Sequence, residues 1–225
     1  IVISAADGHA TLFDMLEDRF TPPAVRERYA TQPLYHPFVQ VSLGVNRDLS
    51  GTPHAVKVET AAPVEIAGRT RRELWYQHFA FDPTLAPRGK IPITVLYPSD
   101  LAWWEGLGYG SGEYEAEKQR ILDSTISQLE QELPGISAQI EVTDVATPFT
   151  TLRYTNNWQA AAGFMMTKTL AAEMTMKPQY TLPGLDDFYM TGQWIKGLGT
   201  PMAASSGKEV IQSICRADGR KFRAE

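Results

Sequence analysis

The chain has 225 residues, 43% of them hydrophobic and 21% charged, with a formal net charge of -5. At about 150 residues per domain this is one large domain or two small ones, with enough apolar chain to bury a core without disulfides or metals. The acidic balance excludes a general nucleic-acid binder, the single Cys215 excludes an internal disulfide or cysteine-based zinc cluster, and the longest apolar run, Ala160 to Met166, is far short of the roughly 20 residues of a membrane-spanning helix.

The opening Ile1-Val2-Ile3-Ser4-Ala5-Ala6-Asp7 is a short β-branched run. It predicts a strand buried on both faces, of the kind found in parallel α/β sheets. Such a strand seldom starts a domain, so the expectation is a chain that begins inside a larger α/β unit. Leu12, Phe13 and Leu16 fall on one helical face, and Pro22-Pro23 can open a second short helix over Ala24 to Tyr29. From Phe38 to Val45, Val39, Val41, Leu43 and Val45 alternate with Gln40, Ser42 and Gly44, which predicts a half-buried strand. Ala55 to Glu59, Leu74 to Phe81 and Ile91 to Tyr97 read as further strands, the middle one with Trp75, Gln77, Phe79 and Phe81 on one face.

Ser111 caps the clearest helix, with Glu113, Glu115 and Glu117 near its start. Tyr114, Ile121, Leu122, Thr125, Leu129 and Leu133 form its apolar stripe, and Pro134-Gly135 ends it. Ile140 to Val145 is another strand. The middle of the chain is therefore an α+β unit, a mixed or antiparallel sheet with a covering helix. Phe188 to Gly192 is a short apolar run into glycine, followed by a loop from Gln193 to Thr200 and a helix from about Pro201 to Cys215.

The strongest local signal for chemistry is Gly192-Gln193-Trp194-Ile195-Lys196-Gly197-Leu198-Gly199-Thr200-Pro201. Glycines let backbone approach a ligand, and a helix start offers N–H groups and partial positive charge to a phosphate, ribityl chain or flavin carbonyl. A tight turn needed only for packing is the alternative. Gly197-x-Gly199 lacks the third glycine of the dinucleotide fingerprint, and Gly207-Lys208 is followed by Glu209 where a phosphate-binding loop needs Ser or Thr. His9, His36, His54 and His78 share no metal-ligand spacing, and Ser205 and Ser206 lack a nucleophile elbow. Cys215 reads as an apolar filler and His78 as a packed histidine. The basic tail Arg216, Arg220, Lys221 and Arg223 reads as favourable charge beyond a helix end. Phe149, Tyr154, Trp158, Phe164, Met165 and Met166 form an aromatic, sulfur-rich stretch that suits either a core or a tunnel for an apolar substrate.

Three segments together resemble the phytoene dehydrogenase-related flavoproteins, the carotenoid desaturases, carotenoid isomerases and retinol saturases. They are Val2-Ile3-Ser4-Ala5-Ala6-Asp7, Ala146-Thr147-Pro148-Phe149 to Arg153-Tyr154-Thr155, and Gly192-Gln193-Trp194 to Ser206-Gly207. The resemblance implies α/β Rossmann-type remnants of an FAD domain flanking an α+β substrate domain: residues 1–20 and 181–225 on the FAD side, 21–180 for substrate. It implies FAD as cofactor, contacted by Gly192, Gln193, Trp194, Gly197, Leu198, Gly199, Thr200 and Pro201. It also implies a hydrophobic substrate of isoprenoid type near Phe149, Tyr154 and Trp158. The strand–turn–helix that holds the ADP part of FAD does not occur in the sequence, so the chain is expected to be the C-terminal portion of such an enzyme and to hold FAD weakly alone. No catalytic side chain stands out, and with flavin chemistry none is required.

Two other readings stay open at the level of sequence. One is the amine oxidase branch of the same superfamily, with Trp194 and Tyr154 as an aromatic cage. The other is a binding or assembly module that kept the fold without the chemistry. A cytoplasmic location is expected, with peripheral membrane contact left open.

Overall fold

Alternation of apolar residues with Gln40, Ser42 and Gly44 gives the segment Phe38–Val45 one buried face. In the computed structural model of the protein, which describes residues 1–165, 178–197 and 199–223, this segment is strand β2, with Val39, Val41, Leu43 and Val45 all buried. It joins β3 (Ala55–Ile66), β4 (Arg69–His78), β5 (Ile91–Pro98) and β6 (Ile140–Ala146) in the order β3-β4-β5-β2-β6, antiparallel throughout. Val41 lies opposite Val95 on one side and Val145 on the other, so the apolar sets of neighbouring strands share one face.

These strands, with α2 (Leu101–Leu107) and α3 (Gly112–Glu132), belong to one of two bodies into which the chain divides, residues 36–153. The other comprises residues 1–35 and 154–225. The body that holds the large sheet is thus narrower than the 21–180 span expected for a substrate domain.

The covering helix α3 starts as read. Ser111 Oγ accepts the Tyr114 N–H at 3.0 Å, and Glu113 and Glu115 occupy the first turn, where the helix dipole favours acids. Ile121 and Leu129 are fully buried in the core that includes β2 and β5, each contributing about 1.5–3 kcal/mol. Thr125 Oγ1 lies 3.0 Å from the Tyr97 hydroxyl, which ties the helix to β5. Burial pushes that phenol up to about 12, against the opposing pull of the Thr125 hydrogen bond. Trp104 of α2 is likewise buried whole, its indole N–H donating to Ser99 Oγ at 2.8 Å.

The reading of Leu74 to Phe81 as one strand is corrected. The strand begins earlier because Ala67 and Gly68, with φ of 50° and 69°, make a two-residue hairpin joining Ile66 to Arg69. It ends at His78, whose Nε2 lies 3.0 Å from Thr52 Oγ1 and whose Nδ1 accepts the Ala80 N–H at 3.4 Å. Leu74, Tyr76 and His78 face the core, Trp75 is 45% exposed, and Phe79 and Phe81 lie in the following loop. The β3 strand likewise runs on past Glu59 to Ile66.

In the second body β1 (Val2–Ser4) pairs parallel with β8 (Leu185–Met190), and β7 (Thr181–Leu182) pairs antiparallel with β8 on its other side. Here too an expectation fails. β1 is not buried on both faces: Val2 is 58% and Ile3 41% exposed, and β1 is an edge strand whose one strand neighbour among the described residues is β8. The parallel pair is α/β in character, but three strands, one of them antiparallel, do not themselves form a doubly wound unit.

Helical segments follow both parallel strands. After β1, Ala10–Met15 is a π-type turn closed by the Leu16 N–H on Thr11 O at 3.1 Å, and α1 (Pro23–Thr31) starts at the prolines. After β8 come α5 (Gln193–Lys196), a single turn inside what reads as a loop, and α6 (Thr200–Ala217) with Pro201 in its first turn. Between the bodies in sequence runs α4 (Pro148–Thr155). Among the described residues no helix is long and apolar enough to cross a membrane.

Candidate functional site

An open cleft of about 550 Å³ lies in the body formed by residues 1–35 and 154–225. Its walls come from Ala5, Ala6 and Asp7 after β1, and from Thr191, Gly192, Gln193 and Trp194 after β8. Thr155 and Asn157 close one side, and Ala203 and Gly207 of α6 another. The cleft therefore sits at the carboxyl ends of two parallel strands, the place where α/β sheets bind ligands, since helix starts and loop N–H groups converge there.

Small residues keep the cleft open, and buried hydroxyls hold its frame. Gly192 has φ of 97°, a conformation that side chains disfavour, and its N–H donates to Ser206 Oγ at 2.8 Å. Ser206 is fully buried and gives its own proton to Ala203 O at 2.6 Å, so Thr191 is the donor in the 2.6 Å contact between the two hydroxyls. Lys196 reaches across the α5–α6 turn, donating to Ser205 Oγ at 2.9 Å and pairing with Glu209. Glu209 also accepts from Tyr180, and these two partners, Lys196 first, hold its carboxyl below the usual range.

Asp7 is 5% exposed and both carboxylate oxygens are used: Oδ1 accepts the Ala10 N–H at 2.8 Å and Oδ2 the Trp158 N–H at 3.0 Å. Behind it lies a cluster of rings. His9 stacks on Trp158 at 4.9 Å, and Tyr29 packs between Trp158, Phe164 and Trp194. Gly8 is required by this packing, since a Cβ there would stand 2.3 Å from the Tyr29 hydroxyl and 2.8 Å from Trp194 Cβ. Burial, assisted by the charge of Asp7, raises the Tyr29 pKa. Trp194 is 4% exposed, and its indole N–H has no hydrogen-bond partner among the described residues.

Of the residues expected to meet a cofactor, Gly192, Gln193 and Trp194 line the cleft. Gly197 and Gly199 lie in the α5–α6 turn and Thr200 and Pro201 in the first turn of α6, and none of them lines it; α6 reaches the cleft through Ala203 and Gly207. Gly199 has φ of 100°, and a Cβ there would meet only Pro201 Cδ, at 3.8 Å, so its glycine answers to backbone conformation rather than crowding. Leu198 lies outside the described residues.

Of the residues expected at a substrate, Phe149 belongs to the body of residues 36–153, and Tyr154 and Trp158 to that of residues 1–35 and 154–225. Phe149 packs with Tyr109 and Tyr114 in the core of residues 36–153. Tyr154 is 75% exposed, and Trp158 belongs to the ring cluster. Phe164 joins that cluster under the Arg28 guanidinium, 4.3 Å from its ring, while Met166 lies outside the described residues.

A second hollow, about 590 Å³, opens in residues 36–153 beside Thr52, His54, His78 and Phe81. His78 there is committed to Thr52 and the Ala80 N–H, as befits a packed histidine. Among the described residues no group of His, Cys, Asp and Glu gathers as a metal site.

No family model matches the chain. Two chloroplastic prolycopene isomerases of an Oncidium hybrid cultivar, numbers 1 and 2, are 36% identical to it over 74 residues, 32% of this chain and 12% of each of theirs. The chloroplastic prolycopene isomerase of Daucus carota is 30% identical over 128 residues, 56% of this chain and 20% of that protein. The matched stretches thus span a fifth or less of these curated relatives. A crystal structure of an oxidoreductase from Methanosarcina mazei aligns with TM-score 0.52 and 17% identity over 94% of this chain and 42% of that one. The chain is similar in part of its sequence to prolycopene isomerases, and it shares its fold with an oxidoreductase.

Proposed function

We propose that the chain is part of an FAD-dependent oxidoreductase of the desaturase, isomerase or saturase type, acting on a hydrophobic substrate of isoprenoid class. One observation carries this reading: a cleft at the carboxyl ends of parallel β1 and β8, lined by Asp7, Gly192, Gln193 and Trp194. The partial similarity to prolycopene isomerases supports the substrate class, and the fold shared with an oxidoreductase supports the reaction class.

The residues present fit the flavin end of FAD. Trp194 lines the cleft, and its buried indole N–H has no hydrogen-bond partner among the described residues. Ala5, Ala6, Gly192, Ala203 and Gly207 leave room for a flat group to approach backbone. Gly192, Gln193 and Trp194 would hold that group, with Asn157 and Thr155 as further polar contacts. When bound, flavin supplies hydride or electron transfer to or from a polyene. The chain's part is to position the ring, give it hydrogen-bond donors and surround it with apolar wall; Asp7, with both oxygens engaged, serves as a strut. The Rossmann-type half that binds the ADP portion belongs to this proposal, as does a span of the whole enzyme longer than this chain.

The test is a visible spectrum of the full-length protein that carries this chain, purified and desalted, followed by incubation with a cis-configured carotene and chromatography of the products. Flavin bands and flavin-dependent change of the polyene are expected. A well-folded full-length protein that takes up no FAD on titration would overturn the reading.

A further inference from the structure

The cleft wall at Thr155 and Asn157 leads into a segment of unusual backbone. Asn156, Gln159 and Ala160 have φ of 51°, 52° and 54°, so three non-glycine residues among five are left-handed. Each such residue is disfavoured, and a run of them persists only where the surroundings hold it. Local bonds do part of this. Thr155 Oγ1 accepts the Asn157 N–H at 3.2 Å, Asn157 O accepts the Ala160 N–H at 2.9 Å, and Asn157 Nδ2 donates to Ala161 O at 3.3 Å. The long-range hold is the Trp158 N–H on Asp7 Oδ2, across 151 residues of sequence. Asp7 is itself fixed at its side chain and at its carbonyl. Its other oxygen takes the Ala10 N–H, its carbonyl accepts Thr11 Oγ1 at 2.8 Å, and Thr11 Oγ1 also meets Ser4 Oγ at 3.0 Å.

We infer that Asp7 is a positioning residue for the cleft: through the Trp158 N–H it holds residues 156–160 in the strained shape that sets Asn157 and Thr155 into the wall. This rests on the flavin reading for its ligand, though not for its geometry. A carboxylate suits the role because two N–H groups arrive from different elements and each needs an acceptor. An amide in its place has one acceptor oxygen and one NH2 and cannot serve both. The ring of Trp158, stacked on His9, then moves with its backbone.

The experiment uses the full-length protein, with FAD titration and amide hydrogen exchange read together. Asp7→Asn is expected to weaken FAD binding about tenfold or more, and to speed exchange of the Trp158 amide by a similar factor, as for loss of a hydrogen bond to a charged acceptor. Glycine adopts positive φ freely, so adding Gln159→Gly and Ala160→Gly to Asp7→Asn should recover most of the lost affinity. A cap that serves only the Ala10 N–H predicts no such rescue and an unchanged Trp158 amide, and that result overturns the inference. If Asp7→Asn does not fold, the wild type decides: a Trp158 amide exchanging as fast as that of exposed Asn156 also overturns it. A folded wild type that binds no FAD counts against the cofactor reading, while the exchange data still judge Asp7.

Discussion

Ser206, in the second turn of α6, accepts the Gly192 N–H at 2.8 Å, so one buried hydroxyl fixes the start of the Gly-rich segment to the helix that follows it. The same oxygen accepts from Thr191 and donates to Ala203 O. Ser206→Ala leaves the Gly192 N–H and the Thr191 hydroxyl without that partner. The expected cost is about 2 kcal/mol, seen as a fall of about 4–8 °C in melting temperature. Calorimetry of wild type and variant checks it; an unchanged melting temperature would show that water replaces the hydroxyl.

Gly68 and Gly89 form a matched pair in the body of residues 36–153. Both have positive φ, 69° and 80°. A Cβ on Gly68 would stand 2.3 Å from Trp103 Nε1, whereas one on Gly89 would meet nothing within 4 Å. Gly89→Ala should therefore cost only backbone strain, about 1 kcal/mol. Gly68→Ala adds displacement of a Trp side chain and should cost about 2–4 kcal/mol. Urea denaturation of the two variants measures the difference, and equal midpoints would refute the role given to Trp103.

What could be read from the sequence follows the range of the signal. The boundaries of β2 were legible because period-2 alternation is local, and α3 because Ser111, the early glutamates and the Ile121–Leu129 stripe agree. β4 was misplaced because its hairpin uses Ala67-Gly68 where Asn-Gly would have announced it. Of the cleft lining, Gly192, Gln193 and Trp194 stand out in the sequence as part of a Gly-rich segment, although Gln193 to Thr200 reads there as a loop. Asp7 is legible only as part of a strand-end motif, since its partner Trp158 lies 151 residues away. Ala203 and Gly207 carry no chemical group, so their place in the cleft wall is a matter of three-dimensional approach alone. Phe149 packs in the core of residues 36–153 and Trp158, nine residues later, in the ring cluster of residues 1–35 and 154–225, the boundary between the two bodies falling within α4.

Glu130 gives a pH signature. The Ser137 hydroxyl, then the Ser137 and Gly135 N–H groups, donate to its carboxylate and bring its pKa from 4.5 down to about 2. A depressed carboxyl pKa means the unfolded chain binds the proton more tightly than the folded one. The stabilisation is therefore fully present above about 4.5 and is lost as pH falls toward about 2. Glu130→Gln keeps one acceptor and loses the charge. The stability gap between wild type and variant should be flat from neutral pH to about 5 and narrow below that. Urea midpoints measured across this range test it; a gap that widens on acidification has the wrong sign.

Variants at Gly192 and Gly199 distinguish the proposed cofactor contact from a turn. Their backbones are equally unusual, with φ of 97° and 100°, so valine at either site carries similar strain, about 1 kcal/mol or more. Neither Cβ would clash: at Gly192 the nearest atom is Ala5 O at 3.7 Å, at Gly199 Pro201 Cδ at 3.8 Å. What differs is that Gly192 lines the cleft with Ala5 while Gly199 does not. In the full-length protein, Gly192→Val should put its side chain where the flavin is proposed to lie. FAD affinity should then drop by about tenfold or more, beyond any loss of apo-protein stability. Gly199→Val should lower the melting temperature by a similar amount and leave the folded fraction binding FAD nearly as well. Flavin titration and apo-protein melting of both variants give the four numbers required. Greater loss of affinity at Gly199 than at Gly192 would move the cofactor out of the cleft and onto the α5–α6 turn, where the glycine spacing alone had placed it.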